Sequence, residues 1–278
     1  MEITVLVDNT VLPGRGLLGE HGFSAYVRDG PVSVLFDTGQ SGIALQNAAA
    51  LGIDPLEAGH VVLSHCHLDH TWGLVAYLRA VNAAGREGRP RPHPTFLAHP
   101  AVFRHVEADG EPEIGMILSK ETLARHGEVR LSRDPVRITD DLVFLGEVPR
   151  IFPFEGRTAV GTSGGRPDLV PDDTALACRT DEGIVVVTGC AHSGICSVVE
   201  HAKDVLGEEK VAGVLGGFHL GDAPAEQVEA TCRYFRDLGA AHLHPCHCTG
   251  FRAAAAIAGV AKVGPTGAGL RLSFGSRS

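Results

Sequence analysis

The sequence predicts an α/β fold in which two β-sheets pack together and helices lie outside. Three observations lead to this prediction. Short β-branched apolar runs recur along the 278 residues, as is typical of buried strands. Amphipathic segments follow many of these runs, which gives βα units in both halves of the chain. The hydrophobic content of 44% and the charged content of 21% are those of a globular protein.

The first half of the chain begins with strands and continues with alternating helices and strands. Apolar patterning predicts strands at residues 3–7, 23–27, 32–36, 59–63 and 95–97. Asp29-Gly30, between the second and third strands, is a hairpin turn signal. A helix is predicted at 41–51, with Ser41 as an N-cap candidate and Gly52 just after its end. A second helix is predicted at 72–84.

The second half repeats this pattern with longer helices. Strands are predicted at residues 136–145, 175–178, 184–187, 211–215 and 269–274, and one more begins at Ala241. Helices are predicted at 195–206, 223–238 and 251–261. Because α/β proteins build their sites where a strand ends and a loop begins, the turns after these strands are where functional residues are expected.

Two segments, at 107–135 and 150–173, are less regular than the rest. Loops of this length are usually functional lids or disordered. We expect a single domain over residues 1–278, with these two segments as cap or lid insertions. Arg150, Arg157 and Arg166 either give the second segment a local basic character or are simply solvated.

The densest group of metal-binding residue types directly follows the strand predicted at 59–63. His65, His67, Asp69 and His70 place three imidazoles and one carboxylate within six residues. In an extended backbone, side chains at i and i+2 share a side and lie roughly 7 Å apart. His65, His67 and Asp69 are therefore expected to point one way and His70 another. Neutral imidazole and carboxylate are ligands of Zn²⁺ and its first-row neighbours, whereas a merely solvated polar loop would gain nothing from this crowding.

Later strands end in turns that carry further histidines. His192 follows the strand at 184–187 in a glycine-flanked turn and is expected to be a further ligand. His219 follows the strand at 211–215. It is either an ordinary turn residue or a group that hydrogen-bonds the substrate or protonates a leaving group.

The segment around Cys246-His247-Cys248 has three interpretations. His247 opens the turn and is favoured as a ligand, and His244 is the competing candidate. A structural zinc knuckle is the third, but such sites usually take four ligands with paired C-x₂₋₄-C spacing. In an extended strand the two thiols would also face away from His247.

His65-x-His67-x-Asp69-His70 resembles the signature of the metallo-β-lactamase-fold hydrolases. Asp37-Thr38-Gly39 is similar to the Asp-x-Gly after the third core strand of that superfamily. The turns that hold His192, His219 and His247 together resemble one branch of it. That branch is labelled after a dihydropterin–ribofuranosyl-aminobenzene phosphate synthase. The resemblance implies a four-layer αββα sandwich with two mixed sheets inside and helices outside.

The resemblance also implies a ligand set. His65, His67 and His192 would hold one ion, and Asp69, His70 and His247 would hold a second. Asp37 would orient ligand histidines by accepting their other ring N–H. The alternative for Asp37 is a turn residue that binds its own backbone.

Cys190 departs from the superfamily pattern. Most dinuclear members have a bridging aspartate after the strand that corresponds to 184–188, whereas this chain has Gly189-Cys190. The thiol would bridge as a thiolate, tune the site from nearby, or be a small buried hydrophobe. The second ion is accordingly expected to be bound more weakly or to be a softer metal.

The predicted function is that of a metal-dependent hydrolase or lyase. One or two divalent ions, with zinc favoured over manganese or iron, would lower the pKa of bound water toward about 7 and supply hydroxide. The substrate would be a small metabolite, phosphorylated or pterin-like. Asp69 would orient the water and His219 would act on the substrate or leaving group. An iron-dependent redox enzyme and a non-catalytic metabolite sensor are the alternatives.

Composition limits the class of partner and compartment. The formal net charge of −9 argues against a nucleic-acid groove. Seven cysteines without a disulfide-scaffold spacing favour the reducing cytoplasm. The first residues read as a strand and not as a signal peptide, and no apolar run reaches the ~20 residues that span a bilayer. The sequence leaves the oligomeric state open.

Overall fold

Two mixed β-sheets form the centre of the molecule. The computed structural model describes residues 1–90, 92–108 and 110–275. The larger sheet has seven strands and the smaller has six, and the helices pack on their outer faces. The predicted α/β class and αββα sandwich are therefore confirmed.

The strands alternate with helices along much of the chain. The strands are β1 (Glu2–Val7), β2 (Ser24–Asp29), β3 (Val32–Phe36), β4 (His60–Val62), β5 (Thr95–Ala98), β6 (Glu128–Leu131), β7 (Val136–Arg137), β8 (Leu142–Phe144), β9 (Thr162–Ser163), β10 (Arg166–Pro167), β11 (Ala175–Thr180), β12 (Gly183–Thr188), β13 (Val211–Gly217), β14 (His242–Cys246) and β15 (Arg271–Ser273). The helices are α1 (Ile43–Ala50), α2 (Leu68–Thr71), α3 (Leu74–Arg86), α4 (Lys120–Leu123), α5 (Ile195–Leu206), α6 (Ala225–Leu238) and α7 (Phe251–Ala258). No helix in this described part has the length and apolar character needed to cross a bilayer.

Each of the two large sheets contains a set of neighbouring parallel strands. The larger sheet runs β15-β1-β2-β3-β4-β5-β6, in which β3, β4, β5 and β6 are parallel to one another. The smaller runs β14-β13-β12-β11-β8-β7, with β12, β13 and β14 parallel. Strands β9 and β10 form a separate hairpin. In such sheets the carboxyl ends of parallel strands share one edge, where ligands bind.

Three hydrophobic cores correspond to the three interfaces between four layers. Val34 and Phe36 of β3 face the smaller sheet, whereas Leu35 between them faces the outer helices. In β12, Val185 enters the core between the sheets and Val186 the core beneath helix α5. Successive side chains on a strand point to opposite faces. Both faces are covered, so these strands read as continuous apolar runs instead of alternating ones.

The 107–135 segment has two different parts. Its second part contributes α4 and β6, and β6 extends the larger sheet beside β5. In the first part, Ala108 and Glu111 form a bridge and Glu107 pairs with Thr162 of the β9–β10 hairpin. Asp109 lies outside the described residues. Sequence patterning missed β6 because its exposed and half-buried residues give no apolar run.

Candidate metal centre

Side chains from distant parts of the chain converge at the carboxyl ends of the strands. The ring of His65 lies 4.8 Å from that of His192, and the ring of His70 lies 5.1 Å from that of His247. His65, His70, His192 and His247 are all buried. His65 and His70 follow a strand of the larger sheet, and His192 and His247 follow strands of the smaller sheet. The cluster therefore lies across the two sheets.

The loop that carries His65, His67, Asp69 and His70 differs from the extended segment that the spacing of these residues predicts. The backbone of His67 is extended, and His65 Nε2 lies 3.1 Å from His67 Nδ1. Helix α2 begins at Leu68 with His67 as its N-cap residue, so the expectation that Asp69 shares the direction of His65 and His67 is wrong. The helical turn instead aims Asp69 and His70 at the same point.

One group of side chains is formed by His65, His67 and His192. Their ring centroids lie 4.6 to 5.0 Å apart. Both ring nitrogens of His192 and Nε2 of His67 are buried without a hydrogen-bond partner among the described residues. Burial and the neighbouring imidazoles lower the pKa of His65 and His192 well below the usual value. Neutral imidazole is the form that binds metals.

A second group surrounds the carboxylate of Asp69. Its Oδ2 lies 3.3 Å from His70 Nε2 and 3.1 Å from His247 Nε2. Cys190 Sγ lies 3.2 Å from His70 Nε2. Donor atoms of Asp69, His70, Cys190 and His247 all lie within 4.8 Å of one another, and all four residues are buried.

Partners behind the rings fix which nitrogen faces the centre. His70 Nδ1–H donates to Asp37 Oδ2 at 2.7 Å, and His247 Nδ1–H donates to Asn9 Oδ1 at 2.9 Å. Each ring therefore presents Nε2 to Asp69. Such outer contacts hold ligand histidines in one tautomer and orientation.

Asp37 also orients the ring of His65, through the hydroxyl group of Ser64. Ser64 Oγ donates to Asp37 Oδ2 at 2.7 Å, and it lies 2.9 Å from His65 Nδ1. Because the hydroxyl proton is directed at the carboxylate, Ser64 Oγ accepts from His65 Nδ1–H. Asp37 is completely buried, with φ at +54°. The structure thus places Asp37 behind two candidate ligands, where the resemblance puts it.

The arrangement around Asp69 fits a cation. With Nδ1 of His70 and His247 used as donors, two imidazole lone pairs and a carboxylate oxygen face one another at about 3 Å. These groups repel one another unless positive charge lies between them. Burial disfavours a charged His70, but Asp69 and Asp37 outweigh it and raise its pKa well above the usual value. A metal ion would supply the same positive charge.

Cys190 and His219 lie beside these groups. Cys190 belongs to the Asp69 group and also to a group with His65 and His192. The His219 ring lies 4.1 Å from the His192 ring. His219 Nδ1 is buried without a partner in the described part of the chain.

Three residues at the site escaped sequence analysis. Asp8 Oδ1 accepts the backbone N–H of His247 at 2.8 Å, Asn9 holds its ring, and His21 Nε2 lies 3.3 Å from Asp69 Oδ2. All three lie in the glycine-rich loop between β1 and β2. A lone Asp, Asn or His in such a loop carries no spacing signal, so only the fold identifies them.

Other candidates from the sequence lie elsewhere. His244 Nδ1 donates to the Pro265 carbonyl at 2.9 Å, so His247 and not His244 faces the cluster. Arg150 donates through Nε to the Gly156 carbonyl at 2.8 Å. That contact holds its own loop together.

Two adjoining cavities open onto the cluster. One, of about 450 Å³, extends past His67 and Asp69 to Trp72, Ile114 and Val160. The other, of about 340 Å³, extends over Gly156, Thr158, Phe218 and Gln227. His192, His219 and Cys248 line both. No arginine or lysine lines either cavity among the described residues.

Known proteins resemble this chain in sequence. The family described as the Metallo-beta-lactamase superfamily matches residues 18–206. A protein of Methanocaldococcus jannaschii named 7,8-dihydropterin-6-methyl-4-(beta-D-ribofuranosyl)-aminobenzene-5'-phosphate synthase is 35% identical over 234 residues, which cover 79% of this chain and 76% of that protein. An uncharacterized protein of the same organism is 32% identical and covers 90% of this chain and 91% of its own length.

Solved structures show the same architecture. Tm1679, described as a metal-dependent hydrolase of the beta-lactamase superfamily, is 30% identical with a TM-score of 0.82, and the match covers 99% of this chain and 100% of that one. A diphosphatase from the PhnP family matches with a TM-score of 0.53 at 13% identity and covers 98% of this chain and 97% of that one. The second likeness concerns the fold alone.

Proposed function

Because the chain belongs to the metallo-beta-lactamase superfamily, in the branch that resembles the dihydropterin–aminobenzene phosphate synthase, we propose that it is a metal-dependent hydrolase or lyase of a small metabolite. One observation carries the proposal. Asp69 Oδ2 and Nε2 of His70 and His247 approach one another at 3.1 to 3.3 Å. At the same time, Nδ1 of both histidines is engaged as a hydrogen-bond donor. This is a preorganised site for a divalent cation.

We propose two adjoining ion sites. His65, His67 and His192 would hold the first ion, with Asp69, His70 and His247 at the second. The unpartnered nitrogens of His67 and His192 support the first site. Cys190 lies where it can join the second as a thiolate or tune it. A set of imidazoles, a carboxylate and a thiol favours zinc, with iron or manganese as alternatives.

Bound divalent cations supply Lewis acidity and lower the pKa of water they coordinate. The chain's own residues do the rest. Asp69 is placed to orient an attacking water and to receive its proton, and His21 links Asp69 to solvent, since the His21 side chain is 64% exposed. His219, at the junction of the two cavities, is placed to hydrogen-bond the substrate or a leaving group.

The cavities support a substrate with a flat ring. Trp72 Nε1–H donates to the Gly115 carbonyl at 2.8 Å, which fixes the indole as a wall beside Ile114 and Val160. Planar rings pack well on such surfaces. The Methanocaldococcus jannaschii relative is named for a dihydropterin product, and we propose a pterin-like or phosphorylated metabolite for this chain.

We also propose that residues 1–278 form one domain in which parts of 107–135 and 150–173 cap the cleft. Ala108, Ile114 and Val160 line one cavity and Thr158 the other, which supports this role. Arg91, Asp109 and residues 276–278 lie outside the described part. The free state of the cysteines supports the proposal of a reducing compartment.

The test is the variant His67→Ala, compared with His105→Ala, whose side chain is exposed outside the cluster. We expect His67→Ala to bind less metal and to lose turnover of phosphoester, thioester and pterin substrates, while His105→Ala keeps both. Unchanged metal content in His67→Ala, by elemental analysis, would refute its ligand role.

Two further results would favour the alternative functions. Visible absorption bands from iron in the freshly purified protein would favour a redox enzyme, and a metal-loaded site without turnover would favour a metabolite sensor.

A further inference from the structure

A cluster of two thiols and one imidazole lies next to the two candidate ion sites. The donor atoms of Cys190, His219 and Cys248 all lie within 4.8 Å of one another. They come from three consecutive strand ends, after β12, β13 and β14. The expectation that both thiols face away from His247 in an extended strand does not describe this geometry, because Cys248 lies in the 3₁₀ turn after β14 and meets Cys190.

The backbone leaves room for the Cys248 thiol. A Cβ atom on Gly217 would lie 2.5 Å from Cys248 Sγ and 2.5 Å from the Gly189 carbonyl oxygen. Real side chains do not approach so closely, so only glycine at 217 lets the thiol lie against the strand end. Cys248 Sγ also donates to the Cys190 carbonyl at 3.6 Å, which holds it in this place.

His219 is fixed beside the two thiols and keeps a nitrogen available. Its backbone has φ at +50°, a conformation that a non-glycine residue adopts only when its surroundings impose it. Its Nδ1 is buried and has no hydrogen-bond partner among the described residues. A buried polar atom of this kind is unfavourable unless it binds something.

The donor types differ from those of the two candidate ion sites around Asp69 and His192, which together form the main centre. Around a tetrahedral zinc ion, bonds of about 2.3 Å to sulfur and about 2.0 Å to nitrogen set ligand atoms roughly 3.5 to 4 Å apart. The cluster fits that spacing with small side-chain adjustments. Thiolate sulfur selects soft or borderline ions, whereas the main centre is mostly imidazole and carboxylate.

We propose that Cys190, His219 and Cys248 form a further site for a thiophilic ion such as Zn²⁺ or Cd²⁺, which shares Cys190 with the main centre. His219 and Cys248 line both cavities, so the fourth position of this ion faces the cleft. One ring nitrogen of His219 coordinates the ion, and the N–H of the other stays available to a substrate. Metal binding at this site does not depend on the reaction proposed above.

The experiment is a cadmium titration of the full chain and of Cys248→Ser. Bound cadmium is measured by elemental analysis after desalting, and thiolate-to-cadmium charge-transfer absorbance is recorded in parallel. We expect Cys248→Ser to bind one cadmium ion fewer per chain and to lose part of the absorbance. Cys246→Ser is the matched control: its thiol lies two residues away in the core between the sheets and should leave both readouts unchanged.

A second measurement needs no variant. We expect bound cadmium to protect Cys248, the partly exposed thiol, from alkylation by iodoacetamide, as read by peptide mass spectrometry. Equal cadmium content in Cys248→Ser and wild type, or Cys248 alkylated equally with and without cadmium, would overturn the proposal. His67→Ala separates the two claims, since it should lose an ion of the main centre and keep the protection of Cys248.

Discussion

At the scale of single residues, the site depends on side chains that would never touch a metal. Asp37 Oδ2 accepts from Ser64 Oγ and from His70 Nδ1, both at 2.7 Å. One carboxylate thus directs the lone pairs of His65 and His70 inward. A group that accepts two protons in a buried place cannot be replaced by one that must donate.

We therefore expect Asp37→Asn to weaken metal binding about 10- to 100-fold. The asparagine NH₂ would replace either Oδ2, where it faces the donors His70 Nδ1–H and Ser64 Oγ, or Oδ1, where it faces the backbone N–H of Ser64. In both orientations a donor meets a donor, so the support of the rings is disturbed. The measurement is competition for zinc against a chromophoric chelator. Asp54→Asn, on an exposed turn far from the cluster, is the control. Equal affinity in Asp37→Asn and wild type would contradict this role.

At the scale of elements, the 150–173 loop holds the turn that carries His192. Glu155 is 1% exposed, and it accepts from the backbone N–H groups of Cys196 and Ser197 at 3.2 and 2.7 Å. In the first turn of a helix such as α5, N–H groups have no carbonyl partner within the helix, and Glu155 supplies the acceptor that they lack. Asp173 Oδ2 accepts from Ser193 N–H at 2.8 Å. The loop therefore fixes the turn from two sides.

Gly194 allows this contact, and Gly194→Ala tests it. A Cβ atom there would overlap the carboxyl group of Glu155, and φ is +99°. We expect the variant to lose about 3 kcal/mol or more of unfolding free energy, because strain of about 1–2 kcal/mol adds to overpacking. Gly207→Ala, with φ +61° and open space around it, should lose only the strain. Equal losses in urea unfolding would contradict the packing argument.

Glu155 should also make stability depend on pH. Burial raises the pKa of Glu155 above its usual value, although its hydrogen bonds from Ser197 and Cys196 oppose this. The folded protein thus holds this proton more tightly than the unfolded chain does. The stabilising contribution is full below about pH 4.3 and is lost as the pH rises through the folded pKa.

Glu155→Gln removes this titration. We expect unfolding free energy to fall less between pH 4 and pH 7 in this variant than in wild type. Denaturant unfolding at both pH values measures the difference, with the exposed Glu57→Gln as control. An identical change in wild type and Glu155→Gln would show that Glu155 titrates normally.

At the scale of the whole molecule, the candidate centre joins the two sheets. His65 to His70 follow β4 of the larger sheet, and His192 and His247 follow β12 and β14 of the smaller one. Only the folded chain brings these ligands together, so the ion binds the folded state and not the unfolded one. By mass action it stabilises the fold by RT ln(1 + [metal]/Kd), about 4 kcal/mol at a thousandfold excess over Kd.

We therefore expect zinc to raise the melting temperature and a chelator such as EDTA to lower it. In His192→Ala this shift should shrink strongly, because a ligand from the smaller sheet is gone. Differential scanning calorimetry with and without metal measures it. A melting temperature that does not respond to metal in wild type would argue against an ion across the sheets.

Much of the fold could be predicted from the sequence, since strand and helix patterns are local. Helix α5 begins and ends where patterning places it, at Ile195 and Leu206. The antiparallel pair of β7 and β8 lies within the strand region predicted at 136–145. Strand β6 and the helical turn α2 were missed, because tertiary contacts and not apolar period set their conformation.

The sequence by itself determined which donor types exist and which strand ends carry them: the cluster at 65–70, His192 and His247. Only the tertiary structure decided that His70 and His247, separated by 177 positions, lie with Nε2 atoms 3.3 Å apart, that Asn9 and Ser64 orient the rings, and that Cys248 meets Cys190. Spacing along a chain reports geometry over a few residues. Contacts between distant turns depend on strand order and sheet packing, which the folded core sets.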